Sequence, residues 1–288
     1  MIAMQHDNVG PVGSYCRGLI CRREMLKSAI TAAGSCAAAA LFMKPHVFAT
    51  PFSASQESQA TNVNTETVHY PSAGFDIQAY LAKPKTEGNH PAIILVHDNW
   101  GLNEYAKDTA RRFAAAGFVA MAPDLLSRAG GTMKVAAPDA AMAAVNQLPS
   151  NSTIEDLKAA YDFLQKYPAV DAAKISSVGY GWGGWRSFML ATAIPSLYRS
   201  VMFCGATPIT GLENIHAPVM AHYAQYDFRT TGNALPTKKE MTALGKQFTY
   251  HLYPGVGHAF FDDTASQYNA AAAQEAWKIT IEFLKSSS

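Results

Sequence analysis

The chain has 288 residues, 49% of them hydrophobic and 16% charged, with a formal net charge of +1. That composition supports one α/β domain with a substantial core, or at most two small domains. It excludes a protein that binds nucleic acid through a basic surplus, and there is no acidic tail.

The N-terminal segment differs from the rest. Arg22 and Arg23 precede Met25-Leu26-Lys27, an Ala-rich, weakly apolar run follows from Ala29 to Phe42, and Val47-Phe48-Ala49 places a small residue at a cleavage point. This resembles a twin-arginine export signal. The resemblance implies removal of residues 1–49, the twin-arginine export machinery as a partner, and a periplasmic or secreted protein. The apolar run is too short to span a bilayer, so no lasting membrane association is expected. Residues 1–49 hold five basic and two acidic side chains, which leaves 18 basic and 20 acidic residues beyond them. Cys16, Cys21 and Cys36 also lie there, so the remaining chain holds Cys204 alone and cannot form an internal disulfide. Residues 50–66 are polar and read as a flexible linker before a domain at 67–288.

In chain order, residues 67–82 read as two short strands around a Ser-Ala-Gly turn. Residues 91–97 (PAIILVH) form a continuous apolar run, as in a strand covered on both faces. Asn103 is placed to cap a helix that runs to Ala116, with Gly117 as its stop. Residues 118–124 are the next buried strand, and the Ala-rich 138–148 is helical. Ser152-Thr153-Ile154-Glu155 reads as a capping box opening a helix to Lys166. A strand at 174–180, a helix at 183–193, strands at 199–205 and 217–227, a helix at 236–247, a strand at 248–255 and a helix at 265–285 complete the chain. Alternating strands and helices with apolar strands predict a single-domain α/β fold: a mostly parallel central sheet with helices on both faces. Sites in such sheets form beyond the carboxyl ends of the strands.

Four loops stand at those ends. His97-Asp98-Asn99-Trp100-Gly101 follows the strand at 91–97. Gly179-Tyr180-Gly181-Trp182-Gly183 has the spacing of a nucleophile elbow. Asp227 ends one strand, and His258 lies in Gly-Val-Gly-His-Ala-Phe-Phe after another. Elbow, acid and histidine occur in the chain order of α/β-hydrolases.

These segments resemble the dienelactone hydrolase family over about residues 66–286. VHDNWGL with AAAGFVAMAPDLL, VGYGWGG, Asp227, and YPGVGHAF match its motifs in order. The resemblance implies an α/β-hydrolase fold and hydrolysis of a small carboxylic ester or lactone, without metal or organic cofactor. It implies that Asp227 orients His258 and that His258 is base and then acid. The N–H of Trp182, with one from the Asn99–Trp100 turn, would form an oxyanion hole. His97, His222 and His251 read as structural, and no spacing suggests a metal site. Trp100, Trp182 and Phe260 are expected to shape an apolar pocket, and Trp185 to pack in the core.

Three positions depart from the family. Gly181 stands where its nucleophilic cysteine would be. Asp98 replaces a glutamate. Asp262 occupies the position of an arginine that holds the substrate carboxylate of dienelactone. The last two argue against dienelactone itself as substrate. Glycine at 181 removes backbone strain and also the reactive atom. Three readings are open: an inactive pseudo-hydrolase that binds a small ligand; a weak hydrolase in which Asp227 and His258 activate water; or a different nucleophile, for which Cys204 is the candidate. Ser187 is expected to point away from the site, and Tyr180 into the core. A single base change converting a Cys codon to a Gly codon also accounts for the glycine.

Overall fold

The computed structural model describes residues 62–135, 137–207 and 210–286. The expected export signal and the larger part of the expected linker lie outside the described residues. Strand β1 (Val63–Ser72) begins inside the segment read as linker and pairs along its length with β2 (Phe75–Pro84). Its outward polar residues disguise it: only the alternate positions Tyr70 and Ser72 are buried.

The remaining strands are β3 (His90–Val96), β4 (Val119–Pro123), β5 (Val170–Tyr180), β6 (Ser200–Phe203), β7 (Val219–Ala224) and β8 (Phe248–Tyr253). They form an eight-stranded sheet in the order β1-β2-β4-β3-β5-β6-β7-β8. β2 pairs antiparallel with β1 and β4, and every other pairing is parallel. Among the described residues the α-helices are α1 (Glu104–Ala115), α2 (Pro138–Asn146), α3 (Ser150–Gln165), α4 (Trp182–Ala193), α5 (Phe228–Thr231), α6 (Ala234–Ala243) and α7 (Ala270–Lys285).

Side chains of β3 alternate between two cores. Ile94 and Val96 share one with Leu157 and Leu164 of α3 and Phe188 of α4. Ile93 and Leu95 share the other with Phe113 of α1 and Leu284 of α7. A strand covered on both faces is why PAIILV is apolar without alternation. Among the described residues, no helix is long and apolar enough to cross a membrane.

Three helix starts differ from expectation: α6 begins at Ala234, two residues before 236, and ends at Ala243, and α3 and α7 are displaced with their caps. α3 opens at Ser150 with Pro149 as its N-cap and no side-chain cap. Ser152 Oγ instead donates to the Pro149 carbonyl at 2.9 Å, so the capping box at 152–155 is not used. α7 starts at Ala270, not 265, because the Asn269 side chain accepts the Ala272 N–H at 3.0 Å and sets the cap there. Asn103 caps α1 as expected, accepting from Ala106 N–H at 2.9 Å.

Candidate active site

β5 delivers the chain to Gly181 and α4 leaves it at Trp182. Gly181 has φ +51° and ψ −112°. That is a conformation an L-residue adopts at a cost of about 1–3 kcal/mol. The Gly181 N–H donates to the Phe203 carbonyl at 2.8 Å, and the Gly184 N–H donates to the Gly181 carbonyl at 3.1 Å. The turn is tight because flanking glycines let backbones touch. A Cβ on Gly179 would lie 2.1 Å from the Gly183 carbonyl oxygen, and one on Gly183 would lie 2.3 Å from the His97 carbonyl oxygen. Ser187 points away from the elbow, into a buried hydroxyl cluster with Ser177 at 2.8 Å and Ser200 at 3.1 Å. This cluster fixes α4 to β5 and β6. Tyr180 is buried, as expected.

Asp227 follows β7 and is the N-cap of α5. Its Oδ2 accepts from Thr230 Oγ1 at 2.5 Å and from His258 Nδ1 at 2.6 Å. Burial alone would raise the Asp227 carboxyl, but the hydrogen bonds from His258 and Thr230 outweigh it and hold the group below its ordinary range. With Nδ1 committed to Asp227, Nε2 is the ring atom of His258 free to move a proton.

The third element is Asp98. Its Oδ1 accepts from its neighbour Asn99 N–H at 2.7 Å and from Trp182 N–H at 2.9 Å. These are the donors expected of an oxyanion hole; Trp100 supplies none of them. A Cβ on Gly181 would lie 2.4 Å from Asp98 Oδ1, 2.5 Å from Oδ2 and 2.6 Å from Cγ. The carboxylate therefore stands where a side chain at 181 would begin and also occupies the two donors expected of the hole. The space at Gly181 is not open to water in this state. Sequence reading misses this, because it treats the shortened acid and the glycine as separate departures. Their coincidence is the available signal.

His97 is buried; its Nδ1 donates to the Asp98 carbonyl at 2.7 Å, and its Nε2 accepts the Leu125 N–H at 3.3 Å. Burial lowers its pKa, so the ring is neutral. It stacks on Trp182 with centroids 5.9 Å apart and planes within 5°. His97 thus holds the Asp98 loop and braces the Trp182 ring. His222 is buried between Tyr253 Oη and Thr280 Oγ1. His251 is half-buried against His222.

A groove of about 720 Å³ is lined by Trp100, Leu102, Met133, Val135 and Asp262 among others. It shares Trp100, Asn103 and Asp262 with a small cavity that Asp98 itself lines. Phe260 does not shape this pocket. It is 0% exposed and packs on Tyr253 and Phe261, because the loop turns it into the core beside α7. Phe261 reaches the cavity instead. Trp185 is half-buried and stacks on Arg186, so it is not a core residue.

Cys204 comes closer to the pair than its place in VMFCG announces. Ligand atoms of Cys204, Asp227 and His258 all lie within 4.8 Å of one another, a grouping that sequence spacing does not reveal. Cys204 has φ +49°, a strained value for a residue with a side chain. It is only 1% exposed, however, and burial followed by the Asp227 charge pushes its thiol far above the ordinary range. A thiol so placed is a poor nucleophile.

An eight-stranded, mostly parallel sheet with an elbow after β5, an acid after β7 and a histidine after β8 defines an α/β-hydrolase. Residues 77–288 match the dienelactone hydrolase family, and the chain belongs to it. The chain is 29% identical over 235 residues to a protein of Synechocystis sp. assigned as a carboxymethylenebutenolidase, covering 75% of this chain and 94% of that one. It is 31% identical over 225 residues to a Bradyrhizobium protein assigned as a 2-oxo-3-(5-oxofuran-2-ylidene)propanoate lactonase, covering 72% and 88%. A crystal structure from Klebsiella pneumoniae assigned as a dienelactone hydrolase superposes with TM-score 0.71 at 22% identity, covering 78% of this chain and 99% of that one. At that identity it supports the fold alone.

Proposed function

We propose that this chain is a slow hydrolase of small carboxylic esters or lactones, in which His258 activates water and no acyl-enzyme forms. The observation that carries the reading is the Asp227–His258 hydrogen bond of 2.6 Å beside an elbow whose central residue is Gly181. The substrate carbonyl displaces the Asp98 carboxylate and takes up the N–H groups of Asn99 and Trp182. Water, deprotonated at Nε2 of His258, attacks the carbonyl carbon. The tetrahedral oxyanion rests on the two N–H donors, and His258 returns the proton to the leaving alkoxide. Activity is weak for two reasons: the nucleophile is absent and the hole must first be emptied. In a protease stripped of its triad, the hole and substrate binding retain about 10³–10⁴-fold over water. Asp262 and Trp100 border the approach and favour uncharged, partly apolar substrates.

One observation favours a second reading. A carboxylate already seated in the hole suits a protein that binds a small ligand and releases it unchanged. The two readings separate on a panel of activated esters and lactones. A water-activating enzyme turns over without a burst and loses its rate on His258→Ala. A rate indifferent to His258→Ala rules it out, and saturable binding without turnover establishes the binder. We also propose that the chain is exported through the twin-arginine route to the periplasm or beyond, on the strength of Arg22-Arg23 and the Ala-rich run. Replacing both arginines by lysine should leave the protein in the cytoplasmic fraction; unchanged export would contradict the route.

A further inference from the structure

We propose that Arg186 anchors an oxyanion site, at which a carboxylate or phosphate group completes the hydrogen bonds of its guanidinium. Arg186 lies one turn into α4 and is 8% exposed. Its Cζ sits 3.4 Å from the centroid of Trp182 and 4.4 Å from that of Trp185. Two indoles therefore lie against the guanidinium. Nε is buried without an acceptor. Among the described residues, no side chain forms an ion pair with Arg186 and no group accepts a hydrogen bond from it.

The other buried or half-buried arginines are treated differently. Arg111 and Arg112 pair with Asp108, and Arg128 pairs with Asp156. Arg199 also has a buried, unpartnered Nε, but its Nη2 donates to the Ser286 carbonyl at 2.9 Å. Arg186 alone in this comparison has aromatic faces and no oxygen.

That arrangement is unfavourable as it stands. Burial pulls the guanidinium down to about 10, and no carboxylate acts in the opposite direction. The start of α4 adds the positive end of a helix dipole close by. Stacking on indoles offsets part of the desolvation but supplies no acceptor for the N–H groups. The two indoles restrict the plane of the guanidinium, and a fixed planar fork of donors suits a bidentate carboxylate or phosphate. Trp182 stacks on Arg186 and also on His97, and its N–H holds Asp98. An anion at Arg186 thus binds against the residue that forms the hole. The proposal does not depend on whether the chain hydrolyses anything.

The test is thermal unfolding of the full chain in sodium chloride, sodium acetate or sodium phosphate at matched ionic strength. Binding to the folded state alone raises Tm by about 5–10 °C when the anion reaches 100 times its Kd. We expect a saturable rise with at least one of the two oxyanions. The response should vanish in Arg186→Met and weaken in Arg186→Lys. Arg186→Met should also be no less stable than the native chain in chloride, because it removes a largely buried guanidinium that no carboxylate pairs. A response to acetate alone supports a carboxylate ligand, and to phosphate alone a phosphate ligand. No saturable response to either anion, or one that survives in Arg186→Met, overturns the proposal and leaves Arg186 a stacking residue.

Discussion

Introducing a cysteine at position 181 should fail to give a working elbow unless Asp98 is moved. The new Cβ would lie 2.4–2.6 Å from three atoms of the Asp98 carboxylate, so the carboxylate must leave. Leaving breaks two hydrogen bonds from backbone N–H groups, at 2.7 and 2.9 Å. Hydrogen bonds to a charged group contribute about 1.5–3 kcal/mol each. The left-handed φ of +51° adds about 1–3 kcal/mol for any residue with a side chain. In the native background Gly181→Cys therefore carries both costs, reduced by whatever water returns to the displaced carboxylate. In an Asp98→Ala background only the backbone cost remains. The double variant should thus be more stable than the sum of the single variants by about 3 kcal/mol. Urea unfolding of the four proteins measures this directly, provided the denaturant slopes agree. Additivity within about 0.5 kcal/mol would show that the two positions do not compete and would refute the account. Thiol reactivity gives a parallel reading: the thiol introduced by Gly181→Cys should react faster with an alkylating agent in the Asp98→Ala background.

Stability should fall in acid partly through His222. Burial, followed by the charge of His251, lowers its pKa to about 3, against about 6.5 unfolded. The unfolded chain binds a proton there that the folded chain refuses, so stability is lost as pH falls from about 6.5 toward 3, by at most about 5 kcal/mol. The pH dependence of the urea midpoint should flatten across that window in His222→Gln, and an unchanged slope would contradict it. Gly179→Ala should destabilise by more than about 4 kcal/mol, read by thermal melting, because its Cβ meets the Gly183 carbonyl at 2.1 Å. Asn269→Ala should cost about 1 kcal/mol by loss of the α7 cap, on the same measurement.

The residues that set the sheet order and the elbow are legible in the sequence because each rests on a local requirement. Covered strands need unbroken apolar runs, and the elbow needs small residues at 179 and 183. Asp227 and His258 are legible from chain order. Their 2.6 Å contact is not, since it depends on where two separate loops finish. Phe260 is misread because loop direction at 257–262 is set by tertiary packing against Tyr253, which the local sequence does not announce. The capping box at 152–155 fails for a similar reason: Pro149 ends the preceding turn and lets the helix begin earlier. Arg186 carries no sequence signal, because the absence of a counter-ion emerges only when every nearby side chain has been placed.

The glycine contacts at the elbow have a bearing on how such a site is lost and regained. The turn at 179–184 is held by backbone meeting backbone and by the serine cluster beneath α4, and a side chain at 181 takes part in neither. Its shape therefore does not depend on a side chain at 181. A side chain at 181 can therefore be gained or given up without rebuilding the turn, but a cysteine there takes two codon changes: one at 181 to supply the atom, and one at 98 to vacate its place.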